Sequence, residues 1–123
     1  MWNPFNSSNK AANIAWKNLV NEPQIDSLIK TSFEKPVAIF KHSFRCGISA
    51  MVLSHLEYQW DLEEVDLDIY FLDLITHRSV SNKISEDLGV PHQSPQIILI
   101  KEGKVVYAAS HHAISVDGLK GAL

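Results

Sequence analysis

The chain has 123 residues, a formal net charge of −3 and a hydrophobic fraction of 46%, which is the composition of a single globular domain. The slight acidic excess argues against nucleic-acid binding, and the longest apolar run, Val105–Ala109, is too short to cross a bilayer. The first residues lack the basic start and apolar stretch of a signal peptide. We therefore expect a cytoplasmic protein, with a flexible lead-in over residues 1–12 and one domain over residues 13–123.

The first half of that domain alternates strands and helices. An edge strand is predicted at about 14–18, followed by a helix that Asn21 caps and Pro36 ends. The apolar run Pro36–Lys41 predicts a buried central strand, and a polar loop follows over His42–Arg45. Cys46 then opens a helix of about 46–60. Its predicted buried ridge comprises Ile48, Val52, Leu56 and Trp60.

The second half begins with an acidic stretch, 61–68, which is typical of a solvated connection and less often of a docking surface. A strand is predicted at 67–74, then a helix capped by Thr76 and closed by Gly89. The remaining predicted elements are strands at 96–101 and 104–109, joined by a Glu102–Gly103 turn, and a last helix capped by Ser115. This alternation predicts an α/β fold, with helices on both faces of a mixed, largely parallel sheet.

The single cysteine, Cys46, is the strongest candidate for chemistry. At a helix N-terminus, its sulfur faces unpaired backbone N–H groups and the positive end of the helix dipole, which favour the thiolate. Lys41, His42 and Arg45 are close in sequence and are expected to add positive potential. The alternative is that Cys46 is a small buried apolar side chain, which is the usual role of a lone cysteine.

Ser49 lies three residues after Cys46, where a Cys-x-x-Cys motif would hold its second thiol. Its hydroxyl can hydrogen-bond a thiolate but cannot resolve a mixed disulfide, so any exchange chemistry must be monothiol. Simple solvation of the first helical turn is an equally good interpretation of Ser49. The six histidines, including the pair His111–His112, show no ligand spacing, so no metal site is predicted.

Several segments together carry a resemblance to a known family. The segment 40–49, Phe-Lys-His-Ser-Phe-Arg-Cys-Gly-Ile-Ser, resembles the active-site segment of the bacillithiol-system protein family, the YtxJ-type monothiol bacilliredoxin-like proteins of the thioredoxin superfamily. The segments 78–81, 92–96 and 110–114 fit the same family, so the resemblance covers about residues 13–123. It implies a thioredoxin-like three-layer α/β/α sandwich around a central mixed sheet.

The resemblance also implies the roles of individual residues. Cys46 would be the redox cysteine, and Pro95, preceded by Ser94, would be a cis-proline that faces it. The residues expected to support the cysteine or bind the thiol are Lys41, His42, Ser43, Arg45, Gly47, Ser49, Ser94, Pro95 and His111. The family usually has proline after the cysteine, whereas this chain has Gly47, which leaves an N–H free near the sulfur.

That departure suggests a rival resemblance. The segment 46–49, Cys-Gly-Ile-Ser, is similar to the Cys-Gly-Phe-Ser motif of monothiol glutaredoxins, which carry iron–sulfur clusters with glutathione. Those proteins have a Gly-Gly pair that binds glutathione, whereas the corresponding region here, 109–112, reads Ala-Ser-His-His.

The leading hypothesis is a monothiol thiol-disulfide oxidoreductase that removes a small thiol such as bacillithiol from proteins through Cys46. The expected partners are S-thiolated proteins and the small thiol as co-substrate, with no tightly bound cofactor, no metal, no nucleic acid and no membrane. The chain is expected to be a monomer or weak dimer and to take part in a stress response. The alternative is a non-enzymatic thioredoxin-like domain that binds partners, with Cys46 only modified under stress.

Overall fold

The computed structural model describes residues 14–123, so the predicted lead-in over residues 1–12 lies outside the described part of the chain. The strands are β1 (Trp16–Asn18), β2 (Val37–His42), β3 (Asp68–Asp73), β4 (Gln96–Lys101) and β5 (Lys104–Ser110). The helices are α1 (Pro23–Thr31), α2 (Gly47–Gln59), α3 (Arg78–Leu88) and α4 (Val116–Gly121), and a 3₁₀ turn spans His111–Ala113. This order is the one that the hydrophobic periodicity predicts.

The strands form one mixed sheet in the order β1-β3-β2-β4-β5. β3 pairs in parallel with β1 and β2, whereas β4 is antiparallel to both β2 and β5. The prediction of a largely parallel sheet is therefore wrong for β4. The loop between α3 and Pro95 leads to the end of the sheet at which β2 finishes. Because β4 starts at that end, it runs antiparallel to β2.

Helices cover both faces of the sheet and divide the core into two clusters. On one face, α2 and α4 pack against the side chains of Ala38, Phe40, Ile97 and Leu99, among others. On the other face, α1 and α3 pack against Val37, Ile39, Ile98 and Ile100. Side chains of a strand point alternately to its two faces, so the continuous apolar runs of β2 and β4 supply both clusters at once.

The start of α1 confirms Asn21 as a capping residue. The Asn21 side-chain oxygen accepts from the Gln24 N–H at 3.1 Å, and the Gln24 side-chain oxygen accepts from the Asn21 N–H at 3.1 Å. The helix ends at Thr31 and not at Pro36. Ser32 ends it because the Ser32 hydroxyl and carbonyl accept from the N–H groups of Gly103 and Glu102 in the β4–β5 turn, both at 2.9 Å.

The buried stripe of α2 differs from the predicted ridge. Ile48 is 40% exposed, whereas Ser49 is fully buried and lies in line with Val52 and Leu56. A helix has 3.6 residues per turn, so a ridge with strict steps of four drifts by about 40° at each step. Over the length of α2 that drift carries Ile48 away from the core and brings Ser49 into it.

The other helix ends follow local chemistry. The predicted Thr76 cap is wrong, because His77 precedes α3 and the Thr76 N–H and hydroxyl instead bond the Asp73 carboxylate. Gly89 closes α3 in the left-handed conformation, and the Ser115 hydroxyl accepts from Gly118 at the start of α4, as predicted. Among the described residues, no helix is both long and apolar enough to cross a membrane.

Candidate active site

The candidate residues meet at one edge of the sheet. β2 and β3 are parallel, so their C-terminal ends lie at the same edge. Lys41 of β2 pairs with Gln96 of β4, and Gln96 pairs with Ser110 of β5. The chain segments that follow β2, precede β4 and follow β5 therefore come together there. These segments carry Cys46, Pro95 and His111.

Cys46 lies at the N-cap of α2, where the sequence places it. Its N–H donates to the Ser43 carbonyl at 3.1 Å, and its own carbonyl accepts from the Ala50 N–H at 3.1 Å. Ser43 fixes this turn further, because its hydroxyl accepts from the Arg45 N–H at 3.3 Å. The cysteine is half-buried. The N-cap position lies at the positive end of the α2 dipole, which favours a negative charge, and the Cys46 side chain makes no hydrogen bond to the first helical turn.

Ser49 is fully buried, and its hydroxyl is held by His42 and by the Ser43 backbone. The Ser49 hydroxyl accepts from the Ser43 N–H at 3.2 Å and lies 2.8 Å from the His42 Nδ1. A neutral His42 ring with its proton on Nε2 accepts the Ser49 hydroxyl proton at Nδ1, and one with its proton on Nδ1 donates to the hydroxyl oxygen. The interpretation of Ser49 as a solvated residue of the first turn is therefore wrong: its hydroxyl is buried and ties the end of β2 to the turn that presents Cys46.

His42 is the last residue of β2 and is buried, so the prediction that it begins a polar loop is wrong. Its ring stacks on Phe40 at a centroid distance of 5.9 Å. It also makes an edge-to-face contact with Phe44 at 4.4 Å and a tilted contact with Phe71 at 5.3 Å. Burial lowers the pKa of His42, and the nearby Asp73 carboxylate offsets part of that change. The ring is thus kept neutral and does not supply the positive potential expected of it.

Lys41 is also not part of the surroundings of Cys46. Adjacent residues of a strand point to opposite faces, so Lys41 projects toward α3 while His42 projects toward α2. The Lys41 ammonium group is fully buried near Ser81 and His92. Of the three basic side chains expected to add positive potential at the sulfur, only Arg45 remains a candidate. It is exposed in the turn directly before Cys46. Gly47, the first residue of α2, is exposed on the other side of Cys46.

Pro95 and His111 lie next to each other at the same end of the sheet. The Ser94–Pro95 peptide bond is cis, which is the isomer that the resemblance implies. The Pro95 carbonyl accepts from the His111 N–H at 3.0 Å, and the 3₁₀ turn that His111 begins packs on α2. His111 has a φ of 55°, in the left-handed region that few side chains adopt. Among the described residues, the buried Ser94 hydroxyl has no hydrogen-bond partner.

Sequence reasoning misses three residues of this edge. Phe44 is 68% exposed and packs its ring against His42, Ile48 is exposed two residues after Cys46, and Phe71 of β3 completes the aromatic group. A large apolar side chain in a polar loop, such as Phe44, is the sequence signal that indicates a contact surface here. His92 is the fourth omission, because nothing in the sequence links it to Lys41.

A pocket of about 240 Å³ lies at the other end of the sheet, between Lys17, Trp60 and Asp68. It borders the start of β3 and the end of α2, whereas Cys46 borders the start of α2, so it does not belong to the cysteine site. Within residues 14–123, no group of three or more potential metal ligands is present.

Comparisons with known proteins agree with this geometry. The family model for monothiol bacilliredoxin BrxC matches residues 17–119. A solved structure described as an oxidoreductase with a thioredoxin fold is 29% identical, with a TM-score of 0.74 over 91% of this chain and 96% of that one. Thioredoxin from Fasciola hepatica is 17% identical, with a TM-score of 0.66 over 86% of this chain and 95% of its own. Mitochondrial thioredoxin 3 from Saccharomyces cerevisiae is 18% identical, with a TM-score of 0.68 over 92% and 96%.

Proposed function

The chain belongs to the monothiol bacilliredoxin family, and we propose from this membership that it removes a small thiol from S-thiolated proteins through Cys46. The family and the thioredoxin-fold oxidoreductase support a redox role. The observation that carries the proposed removal of a small thiol is the placement of the sole cysteine of the chain at the N-cap of α2, with the buried Ser49 where a second thiol would lie.

The proposed reaction has two exchange steps. In the first, the Cys46 thiolate attacks the small-thiol sulfur of the mixed disulfide, the S–S bond to the target's cysteine sulfur breaks, and the target leaves as a thiolate that takes a proton from solvent. Cys46 then carries the small thiol as a disulfide. In the second step, the thiolate of another small-thiol molecule attacks the bound small-thiol sulfur. This releases Cys46 as a thiolate and a disulfide of two small thiols.

The network around Cys46 suits a monothiol enzyme. Ser49 cannot attack the mixed disulfide at Cys46, so that intermediate persists until an external thiol arrives. The Ser49 hydroxyl is occupied by Ser43 and His42 and thereby holds the turn in which Cys46 lies. The unpaired N–H groups at the start of α2 then stabilise the thiolate that attacks and leaves.

A turnover assay tests this proposal. A protein carrying bacillithiol as a mixed disulfide is mixed with the purified chain, and release of the free protein thiol is followed with and without added bacillithiol. We expect a single stoichiometric release without added thiol and repeated turnover with it. Cys46→Ser abolishes both, while its circular dichroism spectrum stays unchanged, because serine is an effective N-cap residue.

Two other outcomes would overturn the proposal. An adduct on Cys46 that forms but is never released by added thiol favours a non-enzymatic domain with a modifiable cysteine. A chain that assembles a stable cluster after reconstitution with iron and sulfide, and leaves the mixed disulfide intact, favours the iron–sulfur role of monothiol glutaredoxins.

A further inference from the structure

A second buried polar cluster lies beneath the loop that leads to Pro95. The Lys41 side chain is fully buried on the α3 face of β2. Its ammonium nitrogen lies 3.4 Å from the Ser81 carbonyl oxygen, 3.5 Å from the Ser85 hydroxyl and 3.4 Å from the His92 Nδ1. Within residues 14–123, no carboxylate forms an ion pair with this ammonium group.

This cluster fastens the loop to the sheet and to α3. His92 lies in the loop three residues before Pro95, and its Nδ1 is approached by the Lys41 ammonium and by the Ser81 hydroxyl, at 3.1 Å. The Gln96 side-chain amide donates to the Pro91 carbonyl at 3.1 Å and holds the start of the same loop. Lys41 and Gln96 are register partners, so they lie side by side on this face. Lys41 is the member of the cluster that connects β2 to the loop.

The charge states of Lys41 and His92 determine which of the two donates the hydrogen bond. Burial, with a contribution from Arg78, lowers the pKa of Lys41 to about 8, so the group is still largely an ammonium at neutral pH. Burial, Lys41 and Arg78 lower the pKa of His92, in that order, which keeps the ring neutral and its Nδ1 free to accept. The charged or titratable groups that face the pair are thus the two partners themselves and Arg78 of α3. An ammonium buried without a counter-charge costs folding free energy.

We propose that Lys41 is a positioning residue, which through His92 holds the loop Pro91–Ser94 in the arrangement that receives the disulfide substrate beside Pro95. This inference rests on the proposed function for its substrate. It assigns to Lys41 a part in substrate binding that does not involve the thiolate of Cys46, from which Lys41 is separated by the sheet. Protonation of His92 at low pH removes the acceptor and places two positive charges together, so the loop is released.

Lys41→Met tests this role, with Ser85→Ala as the matched control that removes one partner of Lys41 on α3 but leaves the connection to the loop. The measurements are hydrogen exchange of the amides of His92, Gln93, Ser94 and Gln96, KM and kcat for the S-thiolated protein, and the rate of Cys46 alkylation by iodoacetamide. In Lys41→Met we expect amide exchange and KM each to rise about tenfold, the scale of one charge-assisted hydrogen bond. We expect kcat and the alkylation rate to stay unchanged, and Ser85→Ala to resemble the wild type.

His92→Gln supplies an independent variant, because the glutamine oxygen can still accept from Lys41 but does not titrate. We expect its KM to match that of the wild type near neutral pH and to lose the rise that the wild type shows on acidification. Unchanged exchange and KM in Lys41→Met would overturn the inference, as would a loss of alkylation rate with KM unchanged. If the wild type shows no turnover, the proposed function fails, while the exchange and alkylation measurements still decide whether Lys41 holds the loop.

Discussion

Lys41 and His42 are consecutive, buried residues of β2, yet they belong to two different polar clusters on opposite faces of the sheet. His42 is neutral, packs among aromatic rings and bonds Ser49, which holds the turn of Cys46. Lys41 is charged, has no carboxylate partner in the described part of the chain and bonds His92, which holds the loop before Pro95. The His42 cluster thus stabilises the fold around Cys46, whereas the Lys41 cluster ties the loop before Pro95 to β2 at a cost in folding free energy.

The largest effect is expected for His42→Ala. This change removes the ring that packs among Phe40, Phe44 and Phe71 and breaks its hydrogen bond with the buried Ser49 hydroxyl. We expect the free energy of unfolding to fall by about 3 kcal/mol, measured by urea denaturation. His55→Ala, on the exposed side of α2, is the control and should cost little. A loss in His42→Ala no greater than that of the control would contradict a stabilising role.

Lys41→Met is expected to have the opposite sign. Methionine fills a similar volume and removes a charge that is costly to bury, so at neutral pH we expect the free energy of unfolding to rise by about 1–2 kcal/mol. Lys30→Met, an exposed substitution on α1, should leave it nearly unchanged. The pKa of Lys41 is lowered from 10.5 to about 8, so the wild type bears the full cost below pH 8. The difference between the two proteins should therefore shrink as the pH rises from 8 toward 10.5. Lower stability of Lys41→Met than of wild type would refute this interpretation.

A smaller effect is expected from acidification. Burial lowers the pKa of both His42 and His92 below the ordinary value of 6.5, so the unfolded chain binds protons more readily than the folded one. The stability is fully present above that value and falls as the pH drops toward the folded-state pKa of each ring. Urea denaturation near pH 7 and near pH 5 should show a smaller loss in His92→Gln than in the wild type. An equal loss in both proteins would mean that His92 does not contribute.

The smallest change in stability is expected for Gly47→Pro. Gly47 is the first residue of α2, a Cβ built on it meets nothing within 4 Å, and Cys46 has the extended backbone, with φ −110° and ψ 116°, that a residue before proline prefers. The free energy of unfolding should stay constant or rise by up to about 1 kcal/mol. Proline also removes an N–H beside the sulfur, so iodoacetamide should alkylate Cys46 more slowly at neutral pH. An unchanged alkylation rate would show that the Gly47 N–H does not stabilise the thiolate.

The comparison also shows how far the sequence determines the site. The order of the elements, the position of Cys46 at the start of α2 and the turn at Gly103 follow from periodicity and local turn chemistry, which act within a few residues. The expectation that Lys41 and His42 both add positive potential near the sulfur is not met, because Lys41 projects to the opposite face of the sheet and burial keeps His42 neutral. The contact between Lys41 and His92 joins residues from different elements, so only the folded chain reveals it.

The central claim is that Cys46 takes the small thiol from a modified protein, and intact-mass spectrometry of a single turnover tests it most directly. The chain is mixed with one equivalent of a protein carrying bacillithiol and quenched in acid, and both masses are measured, with Cys46→Ser in parallel. We predict that the chain gains the mass of one bacillithiol on Cys46 while the target appears as the free thiol, and that Cys46→Ser leaves the target modified. A target that stays modified in the presence of the wild-type chain would contradict the account.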